Sequence, residues 1–202
     1  FFHKMRFPFT VGYGMTECSP IIALDDIRNG IRIGSVGRAL DCCAVSVSEP
    51  DENGIGELTV CGDNLMIGYY KDYEATEQII KDGILYTGDL GYVDDDGYIF
   101  ITGRKKNLII LSNGKNVSPE ELEGIFDRYP YIHEVCVYEK DGKIVGEFYL
   151  NTEQYPEAKI LLKKDIVLVN RMLPKYKNIV ETIIRNVPFE RNCMMKTSKR
   201  GH

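Results

Sequence analysis

Three short stretches of this chain set carboxylate, hydroxyl and cationic side chains beside glycines: Gly12-Tyr13-Gly14-Met15-Thr16-Glu17, Tyr86-Thr87-Gly88-Asp89 and Gly103-Arg104-Lys105-Lys106-Asn107. A carboxylate offers two acceptor oxygens and a guanidinium a planar fork of donors, so such residues can hold a polar ligand. Taken singly, each stretch has a plainer reading. Thr16-Glu17 reads as a helix N-cap pair, Asp89 as an exposed turn residue, and Arg104 as a solvated arginine beside two lysines. Familiar motifs are excluded. Gly83 to Gly88 has phosphate-loop spacing, but Asp89 stands where the lysine belongs. Asp94-Asp95-Asp96-Gly97 fails as a calcium loop, because Tyr92 falls at the first ligand position and Gly103 at the closing glutamate position. The six cysteines form no CxxC pair and have no zinc-type spacing with the histidines, so they read as free thiols.

Together and in this order, the stretches resemble the signatures of the adenylate-forming enzymes, a family of acyl-CoA synthetases, luciferases and nonribosomal adenylation domains. A fourth stretch, Glu190 to Lys196, is similar to their C-terminal lysine segment, with Asn192 in place of threonine and Met195 in place of glycine. The resemblance covers nearly the whole chain. It implies that Tyr13 lies against adenine, Thr16 donates to the α-phosphate, Glu17 holds Mg²⁺, and Asp89 accepts from both ribose hydroxyls. It further implies Arg104 near ribose and phosphate, Lys106 as a hinge, and Lys196 as the catalytic lysine, with Lys199 taking that place if the register slips.

The implied function is an AMP-forming acid–thiol ligase, a magnesium-dependent enzyme with ATP, a carboxylate and coenzyme A as substrates. The stretch Gly114 to Glu121 resembles fatty acyl ligases most. An amino-acid adenylating domain, and a non-catalytic nucleotide-binding or interaction remnant, stand as alternatives. The family's phosphate-wrapping loop lies well upstream of the first stretch, so a missing N-terminal half and an inactive fragment are expected.

The elements that position these residues divide in two. Gly56 to Gly62 alternates as a half-buried strand, Asp72 caps a short helix to Ile80, and Tyr92 to Ile101 reads as a hairpin turning at Asp96-Gly97. Beyond it, Ser118, Pro119 and Glu121 form a capping-box signature before Leu122, Ile125, Phe126 and Tyr129. Val135 and Val137 start a hairpin across Asp141-Gly142, Ala158 to Leu173 is an amphipathic helix stopped by Pro174, and Ile179 to Ile184 is a last strand. This predicts a mixed α/β chain: a β-rich, barrel-like subdomain over 1–103, then a small, mobile α+β domain over 104–202. With 202 residues and a formal charge of −5, the composition is globular and excludes a general nucleic-acid binder. No apolar run approaches the ~18 residues of a membrane span, no secretory signal is visible, and a cytoplasmic location is expected.

Overall fold

The structure is a computed structural model that describes residues 9–26, 31–112 and 114–190. The chain falls into two compact units, Phe1–Lys106 and Asn107–His202. The last strand of the first unit's sheet continues through Arg104.

In the first unit, β1 (Gly12–Gly14), β2 (Ile21–Leu24) and β3 (Arg38–Ala39) form an antiparallel sheet in that order. A five-stranded sheet follows from β4 (Cys43–Ser48), β5 (Gly56–Gly62), β6 (Ile80–Lys81), β7 (Ile84–Val93) and β8 (Ile99–Arg104). β5 lies between β4 and β7, and β6 and β8 both pair with β7. Among the described residues neither sheet closes, so the barrel-like expectation gives way to open sheets. Cys18, Ile22, Leu58, Val60, Leu85 and Ile99 fill the core. The helix α1 (Tyr73–Ile79) is capped as expected: Asp72 Oδ1 accepts the Ala75 N–H at 3.0 Å. The 94–97 turn is held by Asp94 Oδ1, which accepts the N–H of Asp96 and of Tyr98, with Gly97 at φ 82°.

β5 departs from the expected alternation. Its first five residues are all buried, Glu57 and Thr59 included. Both faces of β5 are therefore covered over these five residues, and buried polar side chains there need partners. Thr59 Oγ1 donates to the Ser46 carbonyl at 3.3 Å; the partners of Glu57 belong to the site described below.

The second unit has a short pair of strands, β9 (Ile109–Ile110) and β10 (Asn116–Val117), then α2 (Pro119–Phe126). β11 (Ile132–Lys140) and β12 (Lys143–Leu150) form the expected hairpin, turning at Asp141 and Gly142 with φ 52° and 75°. Positive φ at both positions is what a tight two-residue turn requires. α3 (Ala158–Met172) then crosses over to β13 (Glu181–Arg185), which runs parallel to β12. Helix α3 buries Ala158, Leu162, Ile166 and Val169 on one stripe. The capping box at α2 does not form. Ser118 Oγ donates to Glu120 Oε2, while Glu121 accepts from Lys177 Nζ at 2.7 and 2.8 Å. A charged partner outcompetes a backbone N–H for the glutamate. No described helix is long and apolar enough to cross a membrane.

Phe126 and Phe148 meet edge to face at the centre of this second core, 5.1 Å between ring centroids, and both are wholly buried. Phe148→Ala should therefore cost about 3–5 kcal/mol in urea unfolding followed by near-ultraviolet circular dichroism. A loss under about 1 kcal/mol would mean this aromatic pair does not anchor the unit.

Candidate functional site

The chemistry-bearing stretches of the first unit converge because of a fault in one strand. Glu57 pairs with Leu90 and Thr59 with Tyr86, so residues 87–89 of β7 stand opposite Leu58 alone. A bulge of this kind takes residues out of the ladder and re-aims their side chains. Gly88 sits in it at φ 73°, a conformation L side chains rarely adopt, although a Cβ there would meet no neighbour. Thr87 Oγ1 donates to the Leu58 carbonyl at 2.7 Å and accepts the Asp89 N–H at 3.1 Å. The Gly88 N–H donates to Glu57 Oε1 at 3.1 Å.

The bulge aims Asp89 inwards. Its carboxylate is 6% exposed; Oδ2 accepts from the Tyr13 hydroxyl at 2.7 Å and Oδ1 pairs with Arg104 Nε at 2.8 Å. Tyr13 lies in the middle of β1 and Arg104 at the end of β8, opposite Asp89 in the β7–β8 ladder. Two strands, β1 and β8, thus place one residue each against the single carboxylate carried by β7. Burial pushes the Tyr13 phenol well above its ordinary value; a hydrogen bond with Thr87 opposes the shift, and the neighbouring Asp89 carboxylate adds to it. Beside this cluster, Thr87, Gly88, Arg104, Lys105 and Lys106 line an open depression of about 430 Å³.

The other predicted residues fall as follows. Thr16 opens a short 3₁₀ turn, Thr16–Cys18, and is exposed; the turn's N-cap is Met15, without a side-chain cap. Glu17 is half-buried, and its Oε1 accepts from the Tyr69 hydroxyl at 2.7 Å. At the end of the turn, burial first, then Cys43 and Glu17, pushes the Cys18 thiol up to about 11. Lys106 is exposed and ends the first unit. Lys196 and Lys199 lie outside the described residues, as does Asn113. Sequence reasoning missed Glu57, Lys105 and Tyr69 as members of the site. Lys105 Nζ donates to Glu57 Oε2 at 2.7 Å. Only the position of Glu57 inside an apolar strand could have signalled it, since a carboxylate there must have a partner.

Among the described residues no group of three or more His, Cys, Asp or Glu could hold a metal alone. Glu17 could contribute one hard oxygen to a cation whose remaining ligands are phosphate and water, the usual arrangement for Mg²⁺.

Residues 1–70 match the family model for AMP-binding enzymes, and residues 106–201 match that for the AMP-binding enzyme C-terminal domain. The chain is 36% identical over 130 residues to a long-chain-fatty-acid–CoA ligase of Escherichia coli O6:H1, covering 62% of this chain and 23% of the relative. It is 33% identical over 181 residues to a 2-succinylbenzoate–CoA ligase of Listeria monocytogenes, covering 87% of this chain and 38% of the relative. Among solved structures, it resembles an o-succinylbenzoate CoA synthetase of Bacillus subtilis in complex with its acyl-adenylate intermediate. The TM-score is 0.80 at 27% identity, over 97% of this chain and 41% of that one. The same synthetase in complex with ATP and magnesium matches with a TM-score of 0.76. The chain therefore spans less than half the length of each of these relatives.

Tyr13→Phe removes a buried hydrogen bond to a carboxylate and should cost about 1.5–3 kcal/mol at neutral pH. It should also change the alkaline limb. Up to the ordinary phenol value of 10.0, native and unfolded Tyr13 both keep the proton; above it the unfolded phenol releases it while the native one does not, and stability falls. Urea unfolding of wild type and Tyr13→Phe between pH 8 and 11 should show the shallower decline above pH 10 in the variant. Equal slopes would refute the buried Tyr13–Asp89 contact.

Proposed function

The chain belongs to the AMP-binding enzyme family, and from that premise we propose that it carries the ribose-facing part of the site of an AMP-forming acid–thiol ligase. In the complete protein, a carboxylate oxygen attacks the α-phosphorus of ATP, forming acyl-AMP as the bond to pyrophosphate breaks. The sulfur of coenzyme A then attacks the acyl carbon and AMP leaves. CoA ligases among the relatives favour coenzyme A as acceptor over an amino-acid adenylation reaction.

Asp89 carries the reading. A carboxylate held by Tyr13 on one oxygen and Arg104 on the other is charged and oriented, and each oxygen keeps a lone pair for a ribose hydroxyl. We assign Tyr13 to the adenine side through its ring, Thr16 to the α-phosphate, and Arg104 to the ribose and phosphate oxygens. Glu17, its carboxylate orientation fixed by Tyr69, is assigned to Mg²⁺. When bound, that ion would neutralise phosphate charge. We assign Lys106 as the pivot because the first unit ends there. Lys196 is assigned as the lysine facing the charge that builds between carboxylate and phosphate.

For the acid we favour a fatty acid. The support is the E. coli long-chain-fatty-acid–CoA ligase relative and the Gly114 to Glu121 stretch; the succinylbenzoate ligase makes an aromatic acid the competing substrate.

Calorimetric titration of the chain with AMP and Mg²⁺ tests the site. Binding should weaken about tenfold or more in Asp89→Asn, a loss of roughly 1.4 kcal/mol. Equal affinity in wild type and variant would overturn the ribose assignment.

A further inference from the structure

We propose that Glu57 is a positioning residue of the nucleotide site: its buried carboxylate sets the 87–89 bulge that presents Asp89 and ties down the chain at Lys105 as it leaves β8. The proposal rests on Asp89 being a nucleotide contact. Glu57 is 9% exposed in β5, an interior strand of the sheet, where an unpaired charge is costly. Its two oxygens are used separately. Oε1 accepts the Gly88 N–H at 3.1 Å, and Oε2 accepts from Lys105 Nζ at 2.7 Å.

The first bond addresses a defect that the bulge creates. Residues pushed out of a ladder lose their strand partners, and a backbone N–H left unpaired away from water is unfavourable. Thr87 Oγ1 satisfies the Asp89 N–H from within the bulge, but Gly88 depends on Glu57, which reaches across from the neighbouring strand. The second bond addresses the charge of Glu57 itself. The Lys105 side chain stays 57% exposed, but its ammonium is fixed on Glu57, next in sequence to Arg104, which is held by Asp89. One buried carboxylate thereby links the ribose-facing segment to the segment immediately before Lys106, and it touches no substrate.

The two bonds separate by mutation. In Glu57→Gln the side-chain carbonyl can still accept from Gly88, while the charge for Lys105 is gone. In Glu57→Ala both are lost. Two readouts apply to the full chain: hydrogen exchange of the Gly88 amide by NMR, and affinity for AMP with Mg²⁺ by calorimetry. We expect Glu57→Gln to keep Gly88 protected and AMP affinity within about threefold, and Glu57→Ala to lose the protection and about tenfold in affinity. A structural role alone would lower the melting temperature in both variants without this split. Should Glu57→Ala not fold, Glu57→Asp, one methylene short of Gly88, replaces it with the same expected losses. Wild-type affinity and Gly88 protection in Glu57→Ala or Glu57→Asp would overturn the proposal, as would equal losses in Glu57→Gln and Glu57→Ala. If the wild-type chain binds no AMP, the nucleotide assignment fails, and Gly88 exchange alone decides whether Glu57 sets the bulge.

Discussion

A charge can stay inside a protein only if something meets it, and the first unit is organised around that constraint. Asp89 and Glu57 are both buried. Neither could sit on a regular strand of the sheet with its carboxylate satisfied by the ladder, since ladder bonds use backbone groups only. The bulge at 87–89 resolves the geometry for both. It turns Asp89 towards Tyr13 and Arg104 and brings the Gly88 N–H within reach of Glu57. The irregular backbone and the buried charges therefore stabilise each other. Breaking one carboxylate's contacts leaves a desolvated ion, which typically costs more than the intact pair contributes.

Much of the architecture was legible beforehand because periodicity and turn chemistry are local. The Asp141-Gly142 hairpin, the Asp72 cap and α3, which starts at Ala158 and ends at Met172 just before Pro174, all follow from residue types within a few positions of each other. What escaped depends on distant partners. Glu121 looks like a capping-box glutamate until Lys177, 56 residues on, captures it. Glu57 looks like the outward residue of a half-buried strand until the Gly88 N–H and Lys105, 31 and 48 residues on, meet its buried carboxylate. Among site residues, the motif order singled out Tyr13, Asp89 and Arg104, whose direct contact is now visible. It gave no reason to single out Tyr69, one of thirteen tyrosines, as the residue that orients Glu17.

The same electrostatics explains why anchoring of the chain stops where it does. Arg104, Lys105 and Lys106 are consecutive cations, and repulsion among them favours spreading into solvent. Arg104 is held by Asp89 and Lys105 by Glu57, each through a carboxylate that is itself buried. Lys106 has no ion-pair partner among the described residues and is exposed. Lys105, the last of the three cations with a buried counter-charge, stands immediately before Lys106, the residue proposed as the pivot. A pivot at Lys106 requires no special backbone there; it needs only that the residues before it be tied down and that it be left free to change φ and ψ. For the proposed pivot at Lys106, its own side chain matters less than the two carboxylates that hold Arg104 and Lys105, the same contacts proposed to orient the nucleotide-facing residues.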